Sequence, residues 1–324
     1  MRQVAIPNTH LTASAICLGA GGMGTTISAD EAFAMLDYFT EAGGNFLDTA
    51  LIYADWIPGE KSVSEKTIGR WIRARDNRQA IIVGTKGAHP DLNAMHIPRM
   101  SAREIAADVD ASLAHLQTDY IDLYWLHRDD PARSVEEIIQ TLNDLAAAGK
   151  IRHFGCSNWR AARIRAANAS AAQRGLQGFV ADQMMWSLAV TDMDAIADKT
   201  LAGMDDALYQ FHLETSMAAV PYSSQAGGLF QRLAAGGVEA VKPGARAIYP
   251  LEPNLGRLER AQTLARERSL SVSQVALGYL LSQPFPTIPI VGCRTREQLA
   301  DSLSAAQVRL AAEELRYLET GGRL

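Results

Sequence analysis

The stretch CLGAGGMGTTIS, residues 17–28, decides between two architectures. It contains Gly19, Gly21 and Gly24 in the spacing G-x-G-x-x-G, directly after a short apolar segment. In a dinucleotide-binding Rossmann domain this pattern opens straight into a helix whose N-terminus holds a pyrophosphate. Here TTI (residues 25–27) separates the last glycine from Ser28, where the next helical pattern begins. The glycines are better explained as a loop after a strand, where small residues let a ligand approach the backbone closely.

Strand-like and helix-like segments alternate along the whole chain. Short apolar segments predict eight strands, at 15–19, 45–50, 80–86, 120–127, 151–157, 179–184, 217–223 and 287–292. Amphipathic patterns predict helices at 29–42, 62–75, 101–116, 134–148, 160–174, 198–214, 256–268 and 271–282. Continuous apolar runs are typical of parallel strands that are buried on both faces. Eight such alternations fit either a closed (β/α)8 barrel or an open doubly wound sheet, and we favour the α/β TIM barrel.

The barrel is expected to be a single domain that covers residues 1–324, because no linker divides the chain. Residues 1–14 are predicted to form an N-terminal β-hairpin cap. Extra helices and loops from the C-terminal part are expected to cover the active-site face. Within that part, the irregular stretch 232–256 and the tail 305–324 are candidates to wall the substrate site.

Composition and charge exclude several classes of protein. The net charge is −5 with both signs interspersed, which gives no basic surface for nucleic acid, and no apolar run is long enough for a membrane span. The cysteines Cys17, Cys156 and Cys293 are far apart and odd in number, which favours reduced thiols in a cytoplasmic protein. The histidines show no metal-binding spacing, so no metal site is expected.

Four polar side chains stand near the ends of three consecutive predicted strands. Asp48 ends the second strand, and Tyr53 follows it in the next loop. Lys86 ends the third strand and His127 ends the fourth. Because active residues of such barrels come from the carboxyl ends of strands, we expect all four to meet at one mouth.

The four side chains suit proton delivery to a carbonyl oxygen. A tyrosine with a pKa of about 10 is a poor acid near neutral pH, and a neighbouring ammonium such as Lys86 lowers that pKa. Asp48 would keep the lysine charged, and a neutral His127 would orient the substrate oxygen. A hydride must reach the carbonyl carbon at the same time, and only a cofactor can supply it.

Long, ordered segments around these residues resemble the aldo-keto reductase superfamily. The segments are NFLDTALIYADW (45–56), VGTKG (83–87), TDYIDLYWLHR (118–128), IRHFGCSNW (151–159) and PIVGCRTREQL (289–299). The resemblance implies a (β/α)8 barrel with a nicotinamide dinucleotide extended across the carboxyl ends of its strands. It also implies a catalytic tetrad of Asp48, Tyr53, Lys86 and His127, in which Tyr53 is the general acid or base.

The resemblance further implies a set of cofactor contacts. Ser157, Asn158 and Gln183 match the residues that hold the nicotinamide carboxamide, and Trp186 matches the aromatic residue that stacks on the nicotinamide ring. The other expected contacts are Gly22, Met23, Asp48, Tyr222, Ser223, Gln225, Gly228, Leu229, Gly292, Arg294 and Gln298. Arg294 stands where bacterial relatives place a cation for the 2′-phosphate, although Arg296 could take that role. NADP(H) is therefore the preferred cofactor, and NAD(H) is possible.

The substrate is expected to be a small aldehyde, ketone or keto-sugar. Trp56 and Trp159 flank the predicted mouth and are candidates to line the pocket. A nicotinamide-binding regulatory or scaffold protein on the same barrel is the alternative function. A Rossmann-type short-chain dehydrogenase is excluded, because no tyrosine has a lysine four residues later. A monomer and a homo-oligomer both remain compatible with the sequence.

Overall fold

Eight short parallel strands form a barrel in the computed structural model, which describes residues 1–322. The barrel strands are β3 (Cys17–Gly19), β4 (Phe46–Asp48), β5 (Ile82–Gly87), β6 (Ile121–Leu126), β7 (Ile151–Ser157), β8 (Ala181–Gln183), β9 (Ala218–Ala219) and β10 (Ile290–Val291). Their order is β10-β3-β4-β5-β6-β7-β8-β9. A parallel bridge joins Ala219 of β9 to Thr287, three residues before β10, and so links the two ends of the sheet. The predicted (β/α)8 barrel is confirmed.

Twelve helices accompany the strands in the described part of the chain. They are α1 (Ala29–Glu41), α2 (Val63–Arg75), α3 (Ala102–Leu116), α4 (Val135–Ala147), α5 (Ala161–Gln173), α6 (Asp206–Thr215), α7 (Leu229–Gly236), α8 (Pro243–Ile248), α9 (Leu251–Arg268), α10 (Val272–Leu281), α11 (Arg296–Ser304) and α12 (Ala312–Thr320). Ser28 and Ser101 cap α1 and α3 through reciprocal hydrogen bonds with Glu31 and Glu104.

Two predicted segments differ from the structure. Helix α6 begins at Asp206 and not at 198, because Asp205 caps it and the preceding residues bind elsewhere: Asp198 accepts a hydrogen bond from Arg128. The stretch 232–256 is not irregular, since most of it belongs to α7, α8 and α9. Gly237, with φ of 64°, and the helix-starting Pro243 and Pro250 divide it into short helices, which conceals the helical period.

The N-terminal hairpin consists of β1 (Gln3–Ala5) and β2 (Thr12–Ser14), which pair antiparallel as predicted. Ile6 and Leu11 from its turn are buried in one apolar cluster with Phe46 and Trp125 of the barrel strands. The hairpin therefore packs against the apolar filling of the barrel, and the polar mouth lies at the carboxyl ends of the strands.

The C-terminal tail packs on the outer helices. Arg260 of α9 donates a hydrogen bond to the carbonyl of Leu318 in α12, and Val308 lies close to Gly278 of α10. Residues 305–322 are not among those that line the cavity beside the predicted tetrad, and their expected role as a wall of the substrate site stays a prediction. The last two residues of the predicted tail, 323 and 324, lie outside the described residues. In the described chain, no helix combines the length and apolar character that a membrane crossing requires.

Candidate active site

Lys86 is the centre of a buried polar network at the carboxyl ends of β4 and β5. Its Nζ donates hydrogen bonds to Asp48 Oδ2 at 2.6 Å, to the Thr49 carbonyl at 2.6 Å and to Tyr53 Oη at 2.9 Å. Asp48 and Lys86 are almost completely buried. Three acceptors match the three donors of an ammonium group, so the lysine is fully satisfied as a cation.

The strand register brings these residues together. Asp48 pairs with Gly84 across β4 and β5, and the loop after β4 bends back so that the Leu51 N–H bonds the Lys86 carbonyl. The turn that follows carries Tyr53 over the lysine. Each member thus comes from a strand end or from the loop directly after it, as expected for a (β/α)8 barrel.

The glycine-rich loop after β3 packs beside this network. Gly24 has φ of 81°, and a Cβ at this position would collide with the side chains of Val63 and Thr67 at the start of α2. Gly21 lies beside the ring of Tyr53. The glycines therefore serve close packing between the loop and α2, which agrees with the barrel interpretation of this stretch.

His127 directly follows β6 and faces the ring of Tyr53, with ring centroids 6.0 Å apart. Burial lowers the pKa of His127 well below its usual value, and the charges of Arg128 and Lys86 lower it further. The imidazole is therefore neutral near neutral pH and can donate a hydrogen bond from one ring nitrogen. Arg128 was not foreseen from the sequence; it binds the His127 carbonyl and Asp198.

The charge environment of Tyr53 differs from the expectation. Burial raises the pKa of Tyr53 above its usual value, and the opposing effect of Lys86 does not outweigh it. Lys86 lowers the pKa of Tyr53 as expected, but loss of hydration is the larger contribution, so the net shift is upward. The phenol consequently keeps its proton near neutral pH and is a donor. Burial alone would lower the pKa of Lys86, but Asp48 and Tyr53 raise it overall, so this group stays charged.

Gln183 and Asn158 form the polar side of the mouth. Gln183 donates from Nε2 to Asp48 Oδ1 at 2.7 Å, and its buried Oε1 has no partner in the described residues. Asn158 adopts a left-handed backbone, donates to the His127 carbonyl and accepts from the Tyr222 hydroxyl at 2.6 Å. Ser157 ends β7 beside them. The unpaired Oε1 is an acceptor suited to an amide N–H.

Trp186 does not lie at this mouth. Its indole packs against Tyr209 of α6, Tyr279 of α10 and Phe285, with centroids 6.0–6.1 Å away. The expectation that Trp186 stacks on the nicotinamide ring is not supported, because the side chain is enclosed by the helical layer. Tyr222 is the aromatic residue that the structure brings to Asn158. In the sequence, the segment PYS (221–223) shortly after β9 indicates this aromatic residue.

A groove of about 800 Å³ brings the other expected cofactor contacts together. It is lined by Ser223, Gln225, Gly228, Gly292, Arg294 and Gln298, among others. Ser223, Ala226, Gly227 and Gly228 have positive φ values directly before α7, an arrangement that turns backbone N–H groups toward an anion. Leu229 and Met23 are buried, so only their backbones can contribute, and Gly22 precedes Met23 in the loop after β3.

Arg294 and Arg296 have different surroundings. Arg294 lines the groove, and Gln298 fixes its backbone by accepting a hydrogen bond from its N–H. The Arg296 guanidinium lies over the ring of Tyr38 in α1, 5.3 Å from its centroid. Of the two arginines, Arg294 is the one in a position to contact a phosphate in the groove.

A second cavity, of about 810 Å³, opens beside Lys86. Trp56 lines it and is 58% exposed, whereas Trp159 is completely buried and donates from Nε1 to the Arg128 carbonyl. Trp159 is therefore a packing residue, and its expected place in the pocket is wrong. The structure adds His89, which sequence reasoning missed although it stands three residues after Lys86. Across residues 1–322, no three His, Cys, Asp or Glu side chains are grouped as metal ligands.

Comparison with known proteins assigns the chain to a family. The model of the aldo/keto reductase family matches residues 15–321. Norsolorinic acid reductase B of Dothistroma septosporum is 31% identical over 98% of this chain and 80% of its own length. The uncharacterized oxidoreductase YrpG of Bacillus subtilis is 30% identical over 98% of this chain and 95% of its own. Aryl-alcohol dehydrogenase GME11368 of Pestalotiopsis microspora is 29% identical over 97% of this chain and 80% of its own length. The chain belongs to the aldo/keto reductase family and is an oxidoreductase of carbonyl compounds.

Proposed function

We propose that this protein reduces an aldehyde or ketone to an alcohol with NADPH, and that Tyr53 is the general acid. The observation that carries the proposal is the buried contact of Lys86 with both Asp48 and Tyr53 beside a neutral His127. A protonated phenol and an imidazole donor at one mouth can both reach a single carbonyl oxygen. Relatives that are named reductases and a dehydrogenase support a redox reaction.

The residues present fit a nicotinamide dinucleotide. The unpaired Gln183 Oε1 is suited to accept from the carboxamide, because the Asp48 carboxylate accepts only and so fixes the donor end of the Gln183 amide. Ser157, Asn158 and Tyr222 complete that end. The positive-φ loop before α7 would hold the pyrophosphate, and the groove beside Arg294 would hold the adenosine. When bound, the cofactor supplies the hydride that the carbonyl carbon receives.

The side chains of the protein then manage the proton. His127 orients the carbonyl oxygen, and Tyr53 Oη donates its proton to that oxygen as negative charge develops there. The resulting phenolate is stabilised by the Lys86 ammonium 2.9 Å away, and the Asp48 carboxylate keeps this ammonium in place. In the reverse direction the phenolate accepts the alcohol proton. After carbonyl reduction, a proton from water restores the Tyr53 phenol.

Arg294 supports NADPH as the preferred cofactor. The 2′-phosphate that distinguishes NADPH from NADH carries negative charge, and an arginine binds phosphate through two parallel hydrogen bonds. Arg232 also lines the groove, near the glycines that precede α7. Asp301 is an acidic residue on the same wall, so Arg294 has to outweigh its repulsion.

The test uses purified protein, a panel of aldehydes, ketones and keto-sugars, and NADPH that carries deuterium at the transferred position. We expect carbonyl-dependent oxidation of NADPH and an alcohol with one deuterium on the former carbonyl carbon, measured by mass spectrometry. If NADPH binds tightly but none of the carbonyl compounds is consumed, the protein is a nicotinamide-binding regulator and the proposal fails.

A further inference from the structure

His89 lies next to the catalytic histidine, but the proposed mechanism does not use it. Its ring centroid is 4.7 Å from that of His127, at an interplanar angle of 63°. It lines the same 810 Å³ cavity as Lys86 and Trp56. A substrate that presents its carbonyl oxygen to Tyr53 and His127 therefore has His89 within reach of its neighbouring atoms.

The hydrogen bonding of His89 determines what its free nitrogen can do. Nδ1 lies 2.7 Å from the Pro90 carbonyl oxygen, which only accepts, so Nδ1 carries the hydrogen. Burial lowers the pKa of His89, and the charge of Arg128 adds to this, so the ring is neutral. Nε2 is then a lone-pair acceptor, and the only hydrogen bond of the ring within residues 1–322 is the one from Nδ1.

The loop that carries His89 is held firmly. Ala88 adopts φ of 59°, and its N–H donates to Asp108 Oδ2 at 2.8 Å. Arg99 donates to the His89 carbonyl at 3.1 Å and pairs with Asp108 at 2.8 Å. Functional sites hold their side chains in place with a second layer of such hydrogen bonds, and the loop of His89 has one.

The wall of the cavity also includes an aromatic side chain. Trp56 is 58% exposed, and its ring meets that of Tyr53 edge to face at 6.3 Å. The cations on the other walls are engaged: Arg99 pairs with Asp108, and Lys61 donates to the Asp55 carbonyl. An uncharged substrate with a flat ring suits these surroundings better than an anion.

We infer that the substrate is an aromatic carbonyl compound that carries a hydroxyl group close to its carbonyl, and that His89 Nε2 accepts the hydrogen bond of this hydroxyl. The inference rests on the proposed function and adds the substrate class and a specificity-determining residue. An acceptor that the bound substrate shields from water discriminates against an analogue that cannot donate, because the acceptor is then left unpaired.

The experiment compares 2-hydroxybenzaldehyde with 2-methoxybenzaldehyde in the wild type and in His89→Leu. The ratio of their kcat/KM values is expected to fall by at least about tenfold in the variant. Intrinsic reactivity of the two aldehydes cancels in this comparison of ratios. His89→Gln retains an acceptor and should restore part of the ratio. His96→Leu, in the same loop but outside the cavity wall, is the matched control.

Calorimetric titration of the NADP⁺ complex with each aldehyde provides a readout that does not require turnover. We expect His89→Leu to weaken the preference for 2-hydroxybenzaldehyde in the two Kd values, as it does in the two kcat/KM values. An unchanged ratio in both measurements, or an equal fall in His96→Leu, overturns the assignment of His89. If the wild type reduces neither aldehyde but reduces other carbonyl compounds of the panel, the inferred substrate class is wrong and the proposed function stands. If it reduces none of the panel, the proposed function has failed, and the Kd ratio alone decides the role of His89.

Discussion

Lys86 is the residue on which the charge balance of the site depends. In Lys86→Met the Asp48 carboxylate stays buried without its ion partner, which should lower the free energy of unfolding by about 3–5 kcal/mol. Turnover should fall by at least about 100-fold. Urea unfolding and steady-state kinetics measure the two effects. Lys150→Met is the control, since its ion pair with Asp110 is exposed and should contribute less than about 1 kcal/mol. Equal losses in both variants would contradict the account.

The protonation states of Tyr53 and His127 predict a flat pH profile. The pKa of Tyr53 is raised above its usual value of about 10, so the acid stays protonated up to high pH. The pKa of His127 is lowered well below about 6.5, so this ring is neutral above that range. We expect kcat for carbonyl reduction to be constant between about pH 6 and 9. A break near the usual pKa of histidine would show that His127 titrates during turnover.

Arg294 should distinguish the two nicotinamide cofactors. Arg294→Ala is expected to raise the Kd of NADPH at least about tenfold and to leave that of NADH nearly unchanged, because only NADPH has the 2′-phosphate. Fluorescence titration measures both constants. Arg296→Ala should affect neither, since that side chain lies over Tyr38. An equal loss for both cofactors in Arg294→Ala would remove the proposed role.

At the scale of elements, helices α2 and α3 meet at a glycine. A Cβ at Gly69 in α2 would collide with the His115 carbonyl in α3, while Gly244 in α8 has open space around it. Gly69→Ala should therefore destabilise the fold by about 1–3 kcal/mol, although alanine favours a helix. Gly244→Ala should stabilise it by up to about 1 kcal/mol. Thermal unfolding measures the change in stability of each variant. If both variants were stabilised, or both destabilised, the result would contradict this packing.

The strands and helices also show which parts of the fold can be predicted from sequence patterns. All eight barrel strands were predicted within a few residues, because an apolar run that is buried on both faces leaves a clear pattern. Helices α7 and α8 were missed, since eight and six residues broken by glycine and proline give too little periodicity. The start of α6 was missed because tertiary bonds of Asp198 and Arg128 override the local pattern.

At the scale of the whole molecule, barrel geometry explains which site residues could be predicted. Parallel strands place their carboxyl ends at one mouth, so the meeting of Asp48, Lys86 and Tyr53 follows from the order of the chain. The direction of a side chain just after a strand does not follow in this way. Trp186 therefore turned out to pack between helices, and Trp159 in the core. The role of His89 depends on which atoms its ring nitrogens face, and only the structure supplies that.

Tyr53→Phe is the most direct test of the central claim that Tyr53 gives the proton to the substrate. The change removes one oxygen and leaves the ring beside Trp56 and His127. We predict that kcat for carbonyl reduction falls by at least about 100-fold, while the Kd of NADPH stays within about threefold of the wild type. Tyr317→Phe, on α12, is the control and should retain full activity. A Tyr53→Phe enzyme that keeps more than about a tenth of the wild-type kcat would contradict the claim.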